Sequence, residues 1–222
     1  MVVAGDIWEG DSPRGLSFLS KLADGKPIIF VMGNHEHWNG LYDENIIDTK
    51  LAAAQLGVTL LTGNGVNVAG CRFVGATLWS DYKLAGYAAP TAITGEQIDI
   101  SHPDSDSQLI TVGDAVALHH HDRKQLENLL SEPSDECPTL ILTHHAPHPD
   151  CIPQEFLNTW QAGNSASDLS HLTDTGRADL WVHGHLHHSI DMIRPKGTRI
   201  ICNPAGVMFS NPAFQETFVI EL

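Results

Sequence analysis

Four times along this 222-residue chain, a short apolar run ends in a turn that carries Asp, Asn or His. Pro27-Ile28-Ile29-Phe30-Val31-Met32 stops at Gly33 and delivers Asn34, His35 and Glu36. Val2-Val3-Ala4 stops at Gly5 and delivers Asp6, with Glu9 shortly after. Thr139-Leu140-Ile141-Leu142 runs into Thr143-His144-His145, and Leu180-Trp181-Val182 runs into His183-Gly184-His185-Leu186-His187. Apolar runs of this length, rich in β-branched residues and bounded by turn formers, read as buried strands. In open α/β sheets, ligands bind at the C-terminal edge of the strands. The pattern therefore places an amide, a carboxylate and several imidazoles where a site is built.

In chain order the turns read GDxx(D/E), GNHE, THHxP and GHxH. Together they resemble the motifs of the calcineurin-like metallophosphoesterases, and the resemblance runs over most of the chain. It implies a four-layer α/β-β/α sandwich of two mixed sheets flanked by helices. It also implies hydrolysis of a phosphomonoester or phosphodiester by a metal-activated hydroxide, at two ions roughly 3.5–4 Å apart. By this resemblance Asp6 is the bridging carboxylate, and Asn34, His144 and His185 complete the shell of the second metal. His187 binds the first metal. His144 is chosen over His145 because the family uses the first histidine after the strand. His35 is the general acid that protonates the leaving oxygen. Glu9 stands where the family has a carboxylate, more often Asp, that orients this histidine; an exposed turn carboxylate is its other reading. The residue types agree: imidazole, carboxylate and amide together suit Mn, Fe, Zn or Ni better than Ca. The expected cofactor is one or two such divalent ions.

The family also carries an earlier strand that ends in Asp-x-His, some tens of residues before the Gly-Asp turn. Here that turn is Gly5-Asp6, so the first strand of the family fold is expected to be missing. Either the chain is a fragment, or half of the first metal site is absent and only Asp6 and His187 remain to it. The second case leaves a catalytically impaired or silent scaffold on the same fold as the alternative to an active enzyme.

Charge narrows the partners. Twelve Lys plus Arg stand against 27 Asp plus Glu, which disfavours a surface for duplex nucleic acid. A small phosphorylated substrate stays compatible, because bound metal supplies positive charge locally. No apolar run approaches the ~18 residues of a membrane span, and no secretory signal is expected. The four cysteines are scattered without a CxxC pair and read as reduced thiols of a cytoplasmic protein. The length suits one domain over residues 1–222. No pattern specifies an oligomer.

Between the motifs, Ser12-Pro13 reads as an N-cap and first helical residue, with Leu16, Leu19 and Leu22 on the apolar face and Asp24-Gly25 as the stop. A second helix over 43–55 turns Ile46, Ile47, Leu51 and Ala54 inward. Residues 58–78, around Gly63-Asn64-Gly65, read as successive antiparallel strands. Residues 85–107 lack periodicity and read as a surface insertion, a lid pinned by Ile93 and Ile98. A helix over 114–131 buries Val116, Leu126, Leu129 and Leu130, pairs Arg123 with Glu127, and exposes His119-His120-His121 on a solvated face. A short helix over 169–176, antiparallel strands over 189–193 and 198–202, and a closing strand over 214–222 complete the chain. His37, Trp38 and Tyr42 line a cleft or pack the loop. Specificity is expected from loops 38–42, 79–87 and 148–160.

Overall fold

The computed structural model describes residues 1–85, 100–102, 105–131 and 137–222. The chain begins with β1 (Val2–Val3), α1 (Ser12–Ala23), β2 (Ile28–Phe30), β3 (Gly40–Leu41), α2 (Tyr42–Leu56) and β4 (Val58–Leu60). Next come β5 (Asn64–Val68), β6 (Cys71–Ala76), β7 (Ile100–His102), β8 (Ser105–Leu109) and α3 (Val112–Ser131). The last part holds β9 (Thr139–Thr143), α4 (Trp160–Ser165), α5 (Ser170–Thr173), β10 (Leu180–His183), β11 (Ile190–Ile193) and β12 (Arg199–Cys202).

Alternation along the buried strands sets the layers. In β2, Ile28 and Phe30 pack with Leu16, Leu19 and Ala23 of α1 and with Ala52 and Ala53 of α2. Ile29 between them packs instead with Leu140, Leu142, Leu180 and Ile201 of the second sheet. The alternate residues of those strands, Ile141, Trp181 and Ile200, pack with Leu126 and Leu130 of α3 and Leu172 of α5. Strands apolar on both faces need cover on both sides. The order helices, sheet, sheet, helices is the expected four-layer sandwich.

The first sheet runs β1-β2-β4 and the second β11-β12-β10-β9-β6-β5. All pairs in the first are parallel, as are β12-β10-β9-β6 at the centre of the second. Parallel strands end together, so Asp6, Asn34, His144 and His185 all leave from one rim. Thr77 Oγ1 donates across the sheets to the Met32 carbonyl at 2.9 Å, and within the second sheet Gly184 N donates to the His144 carbonyl at 3.0 Å.

Several expectations need correction. Residues 58–78 are not one antiparallel run: β4 pairs in parallel with β2, and only β5 and β6 pair antiparallel. The stretch 85–107 is not without strands. β7 pairs with β3 and β8 in a third small sheet, because Ile100, fully buried, packs against Trp79 and Tyr82; Ile93 and Ile98 lie outside the described residues. α2 buries Thr49, Ala52 and Ala53, while Ile47 and Leu51 are exposed. Apolar residues run around both faces of this helix, and the small stripe is the one that allows close approach to α1. Leu22 is likewise exposed. The N-cap of α1 is Asp11, whose side chain accepts from Arg14 N, and not Ser12. His119 is buried, its Nδ1 2.9 Å from the Leu78 carbonyl, so the three histidines of α3 do not share a solvated face. Residues 214–222 form no strand, although Phe218 and Ile220 still pack against the core between the sheets.

Other readings hold. Arg123 and Glu127 pair at 3.4 Å, the β11–β12 hairpin forms, and Cys71, Cys151 and Cys202 are free thiols. No helix among the described residues is long and apolar enough to cross a membrane.

Candidate metal centre

The rim is built by backbone that only certain residues tolerate. Asp6 and His185 both sit in the left-handed region, at φ 57° and 62°, which non-glycine residues occupy at a cost and mainly at functional sites. Three motif glycines let the chain close around them. A Cβ on Gly5 would stand 2.5 Å from Gly33 N and 2.7 Å from His144 Nδ1. One on Gly33 would overlap Asp6 Oδ1 and stand 2.7 Å from His144 Cε1, and one on Gly184 would meet the Ala4 carbonyl at 2.7 Å.

Inside this cradle four side chains converge. His144 Nε2 lies 2.9 Å from Asn34 Oδ1, 3.2 Å from His185 Nδ1 and 3.2 Å from Asp6 Oδ2. His185 Nδ1 is 3.2 Å from Asn34 Oδ1. Donor atoms on a shell of about 2.1 Å radius stand about 3.0 Å apart at octahedral angles and about 3.4 Å apart at tetrahedral ones. The observed separations are those of one coordination shell.

The tautomer of His144 supports the same conclusion. Its Nδ1 donates to the Ala4 carbonyl at 2.6 Å, which is how metal-binding histidines are oriented. In the neutral ring this leaves a bare lone pair on Nε2, facing an amide oxygen and a carboxylate. A proton can relieve one such pair; a cation relieves all four groups at once. Without metal, the proton is drawn in. Burial works against a charged His144, yet Asp6 carries its pKa up to about 9. Burial would raise the Asp6 carboxyl, but His144 and then His35 hold it down at about 2. His185 is pushed well below its ordinary value by burial and by His144, and so offers a neutral ring.

His35 stands beside this cluster with its Nε2 3.9 Å from Asp6 Oδ2. Its ring stacks on Trp38 at 3.7 Å between centroids, and Glu9 Oε1 lies 3.5 Å from Nδ1. Glu9 reaches the ring from solvent, its side chain 65% exposed. Trp38 thus packs the histidine, and His37 is buried against Tyr42 at 4.4 Å. Trp79 and Tyr82, assigned to a specificity loop, are buried as well.

Not every motif histidine joins. Among the described residues, Asp6, His144 and His185 form the one group of His, Cys, Asp or Glu within metal-binding distance of one another. His187 is exposed on the same turn and outside that group. His145 stacks behind His185 at 4.4 Å and in front of Trp79 at 5.6 Å, so it supports the ligand ring. His183 Nδ1 lies 3.0 Å from the Gly184 carbonyl. His148 is buried with its Nε2 2.9 Å from Arg194, away from this cluster.

Sequence reasoning assigned nothing to Glu36, which the structure places at the centre of the rim. Its buried carboxylate accepts from the backbone of Asp6 at 2.8 Å, Ile7 at 2.6 Å, Trp8 at 3.2 Å and Gly33 at 2.6 Å. The available signal was an acidic residue directly after a buried strand-end turn, where a charge survives only if it is paired or hydrogen-bonded.

A four-layer sandwich with a mixed-ligand centre at its strand ends defines a metal-dependent phosphoester hydrolase fold. The chain belongs to the calcineurin-like phosphoesterase family, whose profile matches residues 1–189. Among solved structures, the phosphopantetheinyl hydrolase PptH from Mycobacterium tuberculosis matches with a TM-score of 0.66 at 18% identity, over 92% of this chain and 78% of that one. A dimetal phosphatase from Danio rerio matches with a TM-score of 0.38 at 11% identity, over 87% of this chain and 77% of its own. The first of these is a likeness of fold. Comparison with curated proteins gives no significant match.

Proposed function

We propose that this chain hydrolyses a small phosphomonoester or phosphodiester at a divalent metal centre held by Asp6, Asn34, His144 and His185. The observation that carries the reading is the convergence of these four side chains, with Asn34 Oδ1, His185 Nδ1 and Asp6 Oδ2 all within 3.2 Å of His144 Nε2. Mn, Fe, Zn or Ni suits the set. Such an ion supplies Lewis-acid stabilisation of phosphoryl charge and an acidified water.

The chain's own groups supply the rest. His35, half-buried beside Asp6, is placed to donate a proton to a leaving oxygen. Trp38 fixes the plane of that ring, and Glu9 shares its far nitrogen. His187, exposed on the same turn as His185, would be this chain's remaining ligand for a second ion.

One observation favours a second reading, a catalytically silent scaffold: a single ligand group converges among the described residues. Elemental analysis of the purified protein, with hydrolysis of p-nitrophenyl phosphate and bis(p-nitrophenyl) phosphate in added Mn, separates the two. Bound metal with metal-stimulated turnover supports the enzyme. Bound metal without turnover of either ester supports the scaffold.

A further inference from the structure

The turn that carries Asp6 has little strand behind it. β1 is two residues long, and no regular element follows until Ser12. Asp6 is also held at a left-handed φ of 57°. Something other than a sheet must fix this ligand, and its backbone donors show what does. Glu36 Oε2 accepts from Asp6 N at 2.8 Å and from Gly33 N at 2.6 Å. Glu36 Oε1 accepts from Ile7 N at 2.6 Å and from Trp8 N at 3.2 Å. The residue is 1% exposed.

We propose that Glu36 is a positioning residue of the metal centre, a carboxylate clip that fastens the Asp6 turn onto the Gly33 turn. The inference rests on the metal-centre reading above. The clip acts on both ends of the ligand. Glu36 holds the Asp6 backbone, and the neighbouring His35 N donates to Asp6 Oδ1 at 3.1 Å. Asp6 Oδ2 is thereby left to point at His144, 3.2 Å away.

Only glutamate meets this demand. Each of its oxygens serves two N–H donors, and a carboxylate has the lone pairs for four. Glutamine would turn an NH2 group toward two donors that need an acceptor. Aspartate is one methylene short of the turn. Alanine would leave four N–H groups without this partner. Outer-shell groups that orient a metal ligand typically change metal affinity by about 10–100-fold when removed.

The test compares Glu36→Gln and Glu36→Ala with Leu130→Ala, a core truncation in the far helical layer. Mn(II) affinity is measured by titration calorimetry, and ligand geometry by the visible spectrum of the Co(II)-substituted protein. The Glu36 variants are expected to bind Mn(II) about tenfold or more weakly and to shift the Co(II) bands. Leu130→Ala, destabilised but clipped, keeps both. Wild-type affinity and an unshifted spectrum in folded Glu36→Gln overturn the proposal.

Should both Glu36 variants fail to fold, hydrogen exchange on the wild-type protein decides. Slow exchange of the Asp6, Ile7 and Gly33 amides supports the clip, and loop-like exchange overturns it. If the wild-type protein binds neither ion, the metal-centre reading fails, and the exchange result still tells whether Glu36 holds the turn.

Discussion

His144 Nδ1 donates to the carbonyl of Ala4 at 2.6 Å, across the gap between the two sheets. That bond fixes the orientation of the ring and turns Nε2 toward Asn34 Oδ1, Asp6 Oδ2 and His185 Nδ1, as the proposed metal centre requires. His144→Ala is therefore expected to lose the tightly held ion, while His145→Ala, which removes a ring stacked on His185 and its contact with the Thr77 carbonyl, retains it with weakened affinity. Elemental analysis of both variants after desalting checks this. Retention of the ion by His144→Ala would assign the shell to other groups.

His35 makes no close contact with the ligand nitrogens, so its loss should spare metal and remove turnover. His35→Ala is expected to lower kcat by about 10²–10⁴-fold, the usual contribution of a positioned acid, with metal content unchanged. An ester with a good leaving group, such as bis(p-nitrophenyl) phosphate, should suffer less than a phenyl ester. Equal losses on both esters would remove His35 from the role of acid.

Glu9 faces solvent at 3.5 Å from His35, and exposed ion pairs contribute at most about 1 kcal/mol. Glu9→Gln should lower kcat by about fivefold or less. A loss as large as that of His35→Ala would show that Glu9 controls the ring far more tightly than its exposure suggests.

How much of this could be read from the sequence depends on the interaction in question. The strands were legible because each is a continuous apolar run that ends in a turn residue. The convergence of Asp6, Asn34, His144 and His185 was legible because strand ends share a rim. The inward face of α2 was not, since Ile47 and Leu51 offer as apolar a stripe as Ala52 and Ala53, and only the approach of α1 chooses between them. β7 was obscured because Ile100 is followed by polar residues, and its pairing with Gly40 and Leu41 is remote in sequence. His119 was misplaced because a run of three histidines gives no sign of which one turns in. Glu36 was missed because its partners are backbone amides, which sequence does not distinguish.

Asp122, on α3, accepts from Leu78 N at 2.8 Å. Burial pushes its pKa up to about 6, against the pull of that hydrogen bond and of His121. A carboxyl whose folded value is raised binds its proton more tightly when folded. Its contribution is therefore full below about 3.8, its unfolded value, and is lost as pH rises through about 6. Asp122→Asn keeps an oxygen for Leu78 and carries no charge. It should be more stable than wild type at pH 7 by about 1–3 kcal/mol and equal to it near pH 4. Urea unfolding of both proteins at the two pH values measures this, and parallel pH profiles would rule out a raised pKa at Asp122.

Gly33 is one of three motif glycines, with Gly5 and Gly184, where the site has no room for a side chain. A Cβ on Gly33 would overlap Asp6 Oδ1 and approach His144 Cε1 to 2.7 Å, so two ligands would have to separate to admit one methyl group. Gly25, by contrast, has nothing within 4 Å of its would-be Cβ, but its φ of 79° makes alanine strained there. Backbone strain thus belongs to Gly25→Ala, and crowding of Asp6 and His144 to Gly33→Ala. Both should lose stability, the core-side variant by about 1–3 kcal/mol. Only Gly33→Ala should lose metal, because only there does the inserted atom occupy space between the donors. Mn(II) titration of the two variants at matched fold, judged by circular dichroism, separates the effects. Equal Mn(II) affinities would mean that the ligand shell gives way more easily than its close packing implies.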